Sequence, residues 1–308
     1  QYVDFFRESA VGGGEYDYRL NPGAWSSEQE AVDYYVNNFY IPTMNGISEG
    51  NDWQGDPTSY NWQDQAFQDA YSHDFKMSAS GGNETTTFFA SGGFSDQKGI
   101  LIDNSYKKIN VRLNLDHQDS EDLSLGLMIN VNRSINDRLG NDNLFETPMQ
   151  LVAQAPISPF FADAETNEAG YQKGEEYNEN IYYYNGLDIT NNSTFTNKTF
   201  HTLGNANLQY NILDNLSFQS KFGMDVINQN EEFYYKPSLS YYVGAQGSGY
   251  SAWTQVQNYT TDNILNYENT FAQNHDLTAV LGMSYNWITE TFTSAAGENF
   301  PNEHFTNL

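Results

Sequence analysis

Two stretches concentrate the side chains best suited to holding a ligand. Residues 135–199 carry ten acidic and three basic side chains, together with Phe160, Phe161, Tyr171, Tyr177, Tyr182, Tyr183, Tyr184 and Phe195. Residues 229–254 add Phe233, Tyr234, Tyr235, Tyr241, Tyr242, Tyr250 and Trp253. Aromatic faces beside Asn and Asp acceptors suit sugar rings, whose apolar C–H face stacks while the hydroxyls meet the polar groups. The same composition suits a protein partner, because Tyr and Trp concentrate in interface hot spots. Self-packing of loops and anchoring at a membrane interface would use these residues equally well. The ligand- or partner-contact candidates are Tyr182, Tyr183, Tyr184, Tyr241, Tyr242 and Trp253.

Bond-making chemistry has no comparable signal. Asp163-Ala164-Glu165-Thr166-Asn167-Glu168 lacks the spacing of a calcium loop and reads as a solvated acidic turn. His73, His117, His201, His275 and His304 are scattered, without the paired spacing of metal ligands. Glu175-Glu176 and Glu231-Glu232 are chain neighbours, which is not how a glycosidase brings two carboxylates to one substrate. No GxSxG, phosphate loop or nucleophile–base arrangement is visible. The residues therefore predict neither catalysis nor a metal or cofactor site.

The elements that must position these loops are hairpins. Tight connections fall at Gly81-Gly82-Asn83-Glu84, Gln118-Asp119-Ser120-Glu121, Leu213-Asp214-Asn215 and Gln273-Asn274-His275. Longer connections separate them, at 96–104, 135–199, 229–254 and beyond 291. Around each tight turn the residues alternate. Ile109, Val111, Leu113 and Leu115 alternate with Asn110, Arg112, Asn114 and Asp116. Leu123, Leu125, Leu127, Ile129 and Val131 continue the aliphatic side across the turn. Ala206 to Ile212, Leu216 to Val226 and Leu277 to Trp287 repeat the scheme, while Ile264-Leu265 suggests a bulge. Strands of roughly 10–15 residues exceed the ~5–6 of globular sheets and suit the ~9–11 tilted residues of a bilayer crossing. Short turns on one side and long loops on the other are the pattern of an outer-membrane barrel. A soluble sandwich also alternates but does not require that order of connections.

Composition narrows the classes further. The 308 residues hold 40 acidic and 13 basic side chains, a net charge of −27 that repels nucleic-acid backbones. Cysteine is absent, so no disulfide framework or thiolate metal site exists. Mean hydropathy is −0.67, with no apolar run of membrane-helix length. Neither fact excludes a barrel, where only alternate residues meet lipid. Aromatics reach 16%, which barrel girdles and external loops would use. No signal peptide opens the chain at Gln1, so a mature chain or an internal piece of a longer one is expected.

Residues 1–70 have a different texture. Gln1–Ser9 reads as a short helical tail ending before Gly12-Gly13-Gly14. Ser27 and Glu30 form a capping-box pattern, predicting a helix over 27–39 that stops near Pro42. A Gly-, Asn- and Asp-rich loop follows through Tyr60.

Several blocks resemble the SusC/RagA-like TonB-dependent transporters of Bacteroidota outer membranes. They are Asn61–Ala70 (NWQDQAFQDA), Phe75–Asn83 (FKMSASGGN), Thr87–Ile100 (TFFASGGFSDQKGI) and Ile109–His117 (INVRLNLDH), with weaker echoes at Leu203–Asp225 and Glu298–Leu308. The series W-Q-D, S-G-G-N, G-x-x-D-Q-x-G-I is specific in combination. The resemblance implies an all-β fold: part of a large antiparallel transmembrane β-barrel with long extracellular loops. Residues 1–70 would be the first extracellular loop with a short helical insertion, and residues 71–308 a barrel segment of about eight strands in four hairpins. It also implies TonB-dependent import of oligosaccharide or peptide, a SusD-like lipoprotein partner, and TonB contact through a segment outside these residues. Asn110, Arg112, Asn114 and Asp116 would face the lumen, with the aliphatic side on outer-membrane lipid. The rival readings are a soluble glycan-binding or adhesin β-protein, a secreted carbohydrate-active enzyme, and a similar barrel recruited to secretion or motility machinery.

Overall fold

A computed structural model describes residues 1–48, 59–140, 149–161, 165–166, 172–173, 177–178, 185–239 and 246–302. Its main element is an antiparallel sheet of eight strands joined in sequence order. The strands are β1 (Tyr71–Gly82), β2 (Thr86–Lys98), β3 (Ser105–Gln118), β4 (Leu123–Asp137), β7 (Ser193–Leu213), β8 (Leu216–Tyr235), β9 (Ser248–Phe271) and β10 (His275–Glu298). A small separate hairpin, β5 (Glu165–Thr166) with β6 (Gln172–Lys173), lies within the long excursion between β4 and β7.

The tight turns stand where the sequence placed them. At the first, the Asn83 side-chain oxygen accepts from the Thr85 and Thr86 amides at 3.0 and 2.8 Å. Gly82 comes so close to the returning chain that a Cβ there would lie 2.2 Å from the Thr86 carbonyl oxygen. The S-G-G-N block is therefore a turn requirement. The long connections are shorter than expected, at 99–104, 138–192 and 236–247, because the strands run on. β9 and β10 have 24 residues each and pair one to one from His275↔Phe271 to Glu298↔Ser248. That ladder has no bulge at Ile264-Leu265, which corrects the expectation. Leu265 faces Leu281 and Phe218 on the aliphatic side, while Ile264 faces Gly282 and Gln219 on the other.

The chain divides into two compact units, one of which is this sheet with its short connections. The other combines Gln1–Gln68, Leu139–Ser193 and Ser238–Gly244. Its helices are α1 (Tyr2–Leu20), α2 (Glu28–Tyr35), α3 (Ile41–Ile47), α4 (Trp62–Ala66), α5 (Met149–Ala153) and α6 (Gly186–Asn192), with a π-helical turn at Val36–Tyr40. Its core joins Ala10, Tyr40, Met44 and Ile47 to Ala155 and Ile157.

Two expectations fail here, the first for a tertiary and the second for a local reason. α1 does not end before the glycines but runs through them to Leu20. Gly14 lies against the α2 backbone, where a Cβ would sit 2.6 Å from Val32 Cα, and Gly13 lies under the Tyr35 ring. The glycines are thus the site of close helix approach. The helical path also continues past Pro42, which occupies the first turn of α3, where a missing N–H costs little. The π turn just before it lets the Ile41 amide reach the Val36 carbonyl, i to i−5.

A pair of substitutions separates propensity from contact. Gly12 has open space around its Cβ position. Gly12→Ala is expected to stabilise α1 by about 0.5–1 kcal/mol, the ordinary gain of alanine over glycine in a helix. Gly14→Ala should reverse the sign and cost about 1–3 kcal/mol, because backbone must move to admit the methyl group. Thermal unfolding of the two variants checks the opposition of signs, and equal effects would remove the packing explanation.

The predicted cap of α2 is present in modified form. Ser27 Oγ accepts from the Glu30 amide at 3.2 Å, and the Glu30 carboxylate accepts from the Ser26 amide at 2.6 Å and from the Ser26 hydroxyl. The Ser26 hydroxyl and then its amide hold the Glu30 carboxyl below its ordinary value. A carboxyl lowered on folding stabilises above its unfolded pKa, and that contribution vanishes as pH falls through the folded value. Protection of the first-turn amides of α2 against exchange, taken relative to their intrinsic rates, should fall on acidification, and Glu30→Gln should abolish that dependence.

Candidate functional site

The register carries an aliphatic face from β1 to β7 and from β8 to β10. Phe75 pairs with Phe94, Phe94 with Ile109, Met77 with Gly92, and Ala90 with Leu113. Leu113 pairs with Ile129, Val111 with Val131, Leu125 with Leu208, and Leu127 with Ala206. Met224 and Trp287 both pair with Tyr259, whose ring stacks on the indole at 5.5 Å. No second layer covers these residues among those described. Ile109 is 53% exposed, Met77 65%, Leu281 71% and Met283 62%. An isolated exposed leucine means little, but a contiguous apolar sheet face of this extent marks a contact surface.

The opposite face is amide-rich and flattened by glycines. Asn110, Arg112, Asn114 and Asp116 share it along β3, facing Gly93, Ser91, Phe89 and Thr87 on one side and Asn132, Asn130, Met128 and Gly126 on the other. Arg112 Nε donates to Asn114 Oδ1 at 3.0 Å. The Asn110 side chain lies over Gly93, Asn207 over Gly126 and Thr260 over Gly223, so a Cβ at any of the three would collide. Further along, His201 Nε2 meets Asp225 Oδ1 at 2.6 Å, and Ser284 Oγ donates to Asp262 Oδ1 at 2.5 Å. Sequence reading overlooked both contacts. Their only signal was alternation, because the partners lie more than twenty residues apart in the chain.

Tyr182, Tyr183, Tyr184, Tyr241 and Tyr242 lie outside the described residues. Most of the acidic turn does too, with only Glu165 and Thr166 described, in β5. Trp253 is a strand residue of β9, not a loop residue, and faces Asn230 and Thr293. Among the described residues no group of His, Asp and Glu is placed to hold a metal ion.

The helical unit has a polar scaffold of its own. The Trp62 indole, 2% exposed, packs edge-on to Phe160 at 4.7 Å and donates to the Ser158 carbonyl at 2.9 Å. Ser158 Oγ donates to the Ile47 carbonyl at 2.9 Å. Asn185 donates to the Phe160 and Asn178 carbonyls, and Asn178 to that of Pro159. Burial raises the Tyr177 hydroxyl above its ordinary value, partly offset by its hydrogen bond from Asn191. In the connection between β2 and β3, partial desolvation and then Asp137 raise the Asp103 carboxyl, against an opposing pull from Lys98.

A sheet with one lipophilic and one hydrophilic face, tight turns at one end and long excursions at the other defines a segment of β-barrel wall. No helix among the described residues is long and apolar enough to cross a membrane, which leaves crossing by strands open.

No protein-family model matches the chain. The TonB-dependent receptor P26 of Formosa agariphila is 24% identical over 265 residues, covering 82% of this chain and 25% of its own. The TonB-dependent receptor SusC of Bacteroides thetaiotaomicron is 25% identical over 252 residues, covering 78% of this chain and 23% of its own. The fold matches the RagAB peptide importer in its closed-closed state with a TM-score of 0.66 and 18% identity, covering 95% of this chain and 33% of that one. Its open-open state gives 0.67. The chain is thus similar to a stretch of the SusC-like TonB-dependent transporters, and its fold is that of part of their barrel. It spans about a quarter of the length of the curated relatives it matches. Those relatives are named as receptors, not as enzymes.

Proposed function

We propose that this chain supplies wall and loops to an outer-membrane importer driven through TonB, with no chemistry performed on the cargo. The observation that carries this reading is the exposed aliphatic face, carried in register from β1 to β7 and from β8 to β10 and backed by an amide-rich face. The face meets hydrocarbon. Asn110, Arg112, Asn114 and Asp116 then line the lumen, against water or a plug. β1 is exposed along its whole length and β10 along nearly all of it, leaving long unpaired edges that would aggregate unless further strands continued the sheet.

The long connections face the outside in this reading, and the helical unit forms part of the extracellular surface. Tyr182, Tyr183, Tyr184, Tyr241 and Tyr242 are the contact candidates for cargo or for a SusD-like lipoprotein in this reading. The cargo is oligosaccharide or peptide. Transport needs only capture and a gate.

The test uses the full-length protein that carries this sequence. Single cysteines at Val111 and Leu127 should react with a bilayer-soluble maleimide in intact outer membranes, and cysteines at Asn110 and Ser124 with a water-soluble one. Deleting the gene should abolish energy-dependent uptake of a glycan or peptide that supports growth. Recovery of the protein in the soluble fraction without detergent would end this reading in favour of the soluble binding module.

A further inference from the structure

Just beyond the aliphatic band, the same face changes character. The band on β4 runs from Leu123 to Val131, roughly 26 Å along the strand at ~3.3 Å per residue. The next residue on that face, toward the long connections, is Arg133. Arg133 pairs with Phe200, and the following position, Ile135, lies between Lys107 and Lys198. Three of the thirteen cations in a chain of net charge −27 thus gather at one rim of the apolar face.

Their surroundings form a depression of about 180 Å³, lined by Arg133, Lys198, Phe200, Asn228, Asn230 and Trp253. Lys198 Nζ is 2.7 Å from Glu232 Oε2, and Lys107 faces Asp96, whereas Arg133 has no ion pair among the described residues. Asn228 accepts from Gln255 Nε2 at 2.7 Å. The side-chain oxygen of Asn230 is buried with no partner. Trp253, directly across from Asn230, leaves 37% of its surface open.

We propose that this depression binds the headgroup of a phosphorylated glycolipid in the outer leaflet. This rests on the barrel reading above and adds a specific ligand to the outside of the wall. The phosphate sits on the Arg133 guanidinium, with Lys107 and Lys198 as further positive charge. A sugar face stacks on Trp253, a sugar hydroxyl donates to Asn230, and the acyl chains run down over Val131 and Ile129. Arginine suits this task because its planar fork holds phosphate with two parallel hydrogen bonds. A plain interfacial girdle would use the same residue types, but without the cavity or the orphaned acceptor. Selectivity for the phosphorylated headgroup separates the two.

The full-length protein, extracted in mild detergent, is examined by native mass spectrometry for retained phosphorylated glycolipid. It is then titrated with purified glycolipid, its dephosphorylated form, and inorganic phosphate alone. The parent should retain the lipid. Arg133→Ala and Trp253→Ala should each weaken retention roughly tenfold, as for loss of one charge-assisted contact or one stacked ring. Dephosphorylated lipid should bind the parent about as weakly as phosphorylated lipid binds Arg133→Ala. Arg19→Ala, in the helical unit, should leave retention unchanged. Equal retention in all variants, or equal affinity for both lipid forms, would overturn the proposal. So would displacement of the lipid by inorganic phosphate alone, which would make the site a simple anion cradle. A parent that reaches the outer membrane but retains no lipid sinks this inference while leaving the barrel reading intact. A parent absent from the membrane sinks the barrel reading instead.

Discussion

Leu127→Lys is expected to cost about 2–4 kcal/mol of stability in a bilayer, near the depth where charge on a barrel's lipid face is most expensive. Leu127 sits mid-band, flanked by Leu115 and Ala206 on its own face. It is 37% exposed, so in water the exchange of a surface leucine for lysine would change stability by no more than about 0.5 kcal/mol. The magnitude therefore decides between solvents. Leu125 lies one step nearer the tight turn, and Leu125→Lys should cost less, because the penalty falls toward the interface. Ser124→Lys, one residue away on the opposite face, should be nearly neutral. Denaturant titration of the full-length protein refolded into liposomes measures all three. A flat profile across them would mean that the aliphatic face does not meet hydrocarbon.

The second large effect belongs to the helical unit. Trp62→Ala should remove about 3–5 kcal/mol from that unit, the usual cost of emptying a large buried aromatic site. The indole fills space against Phe160, and its N–H satisfies the Ser158 carbonyl, which would be left without that donor. Trp62→Phe retains most of the ring volume but not the donor, and should cost about 1–3 kcal/mol. Limited proteolysis reports the outcome, with new cleavage expected in Gln1–Gln68 and Leu139–Ser193, the segments that share this unit. Protection equal to the parent in Trp62→Ala would show that the W-Q-D block does not hold these segments together.

Strand faces were legible because a strand residue points to one side or the other by its position in the chain. Ile109 to Leu115 and Leu123 to Val131 assign themselves once the period is two. Strand ends were not legible. Past Val226 and Trp287 the strict alternation of aliphatic and polar residues disappears, yet the ladder continues to Tyr235 and Glu298. That is why Trp253 reads as a loop residue in the sequence and stands in a strand. The suspected bulge had the same origin. Ile264 beside Leu265 looks like a slip, yet each faces its own side, with Gly282 opposite Ile264.

By itself the chain determined the hairpins, their turns and the division into an aliphatic and an amide-rich face. These are local properties, set by alternation and by residues such as Asn83 that close a turn with their own side chains. Only the tertiary structure decided that the glycines of α1 are a helix contact and that Trp62 meets a segment almost a hundred residues away. It also decided that Arg133, Lys198, Asn230 and Trp253 border one depression. Such neighbours are brought together by the packing of distant segments, and spacing along the chain carries no trace of a distance closed in space.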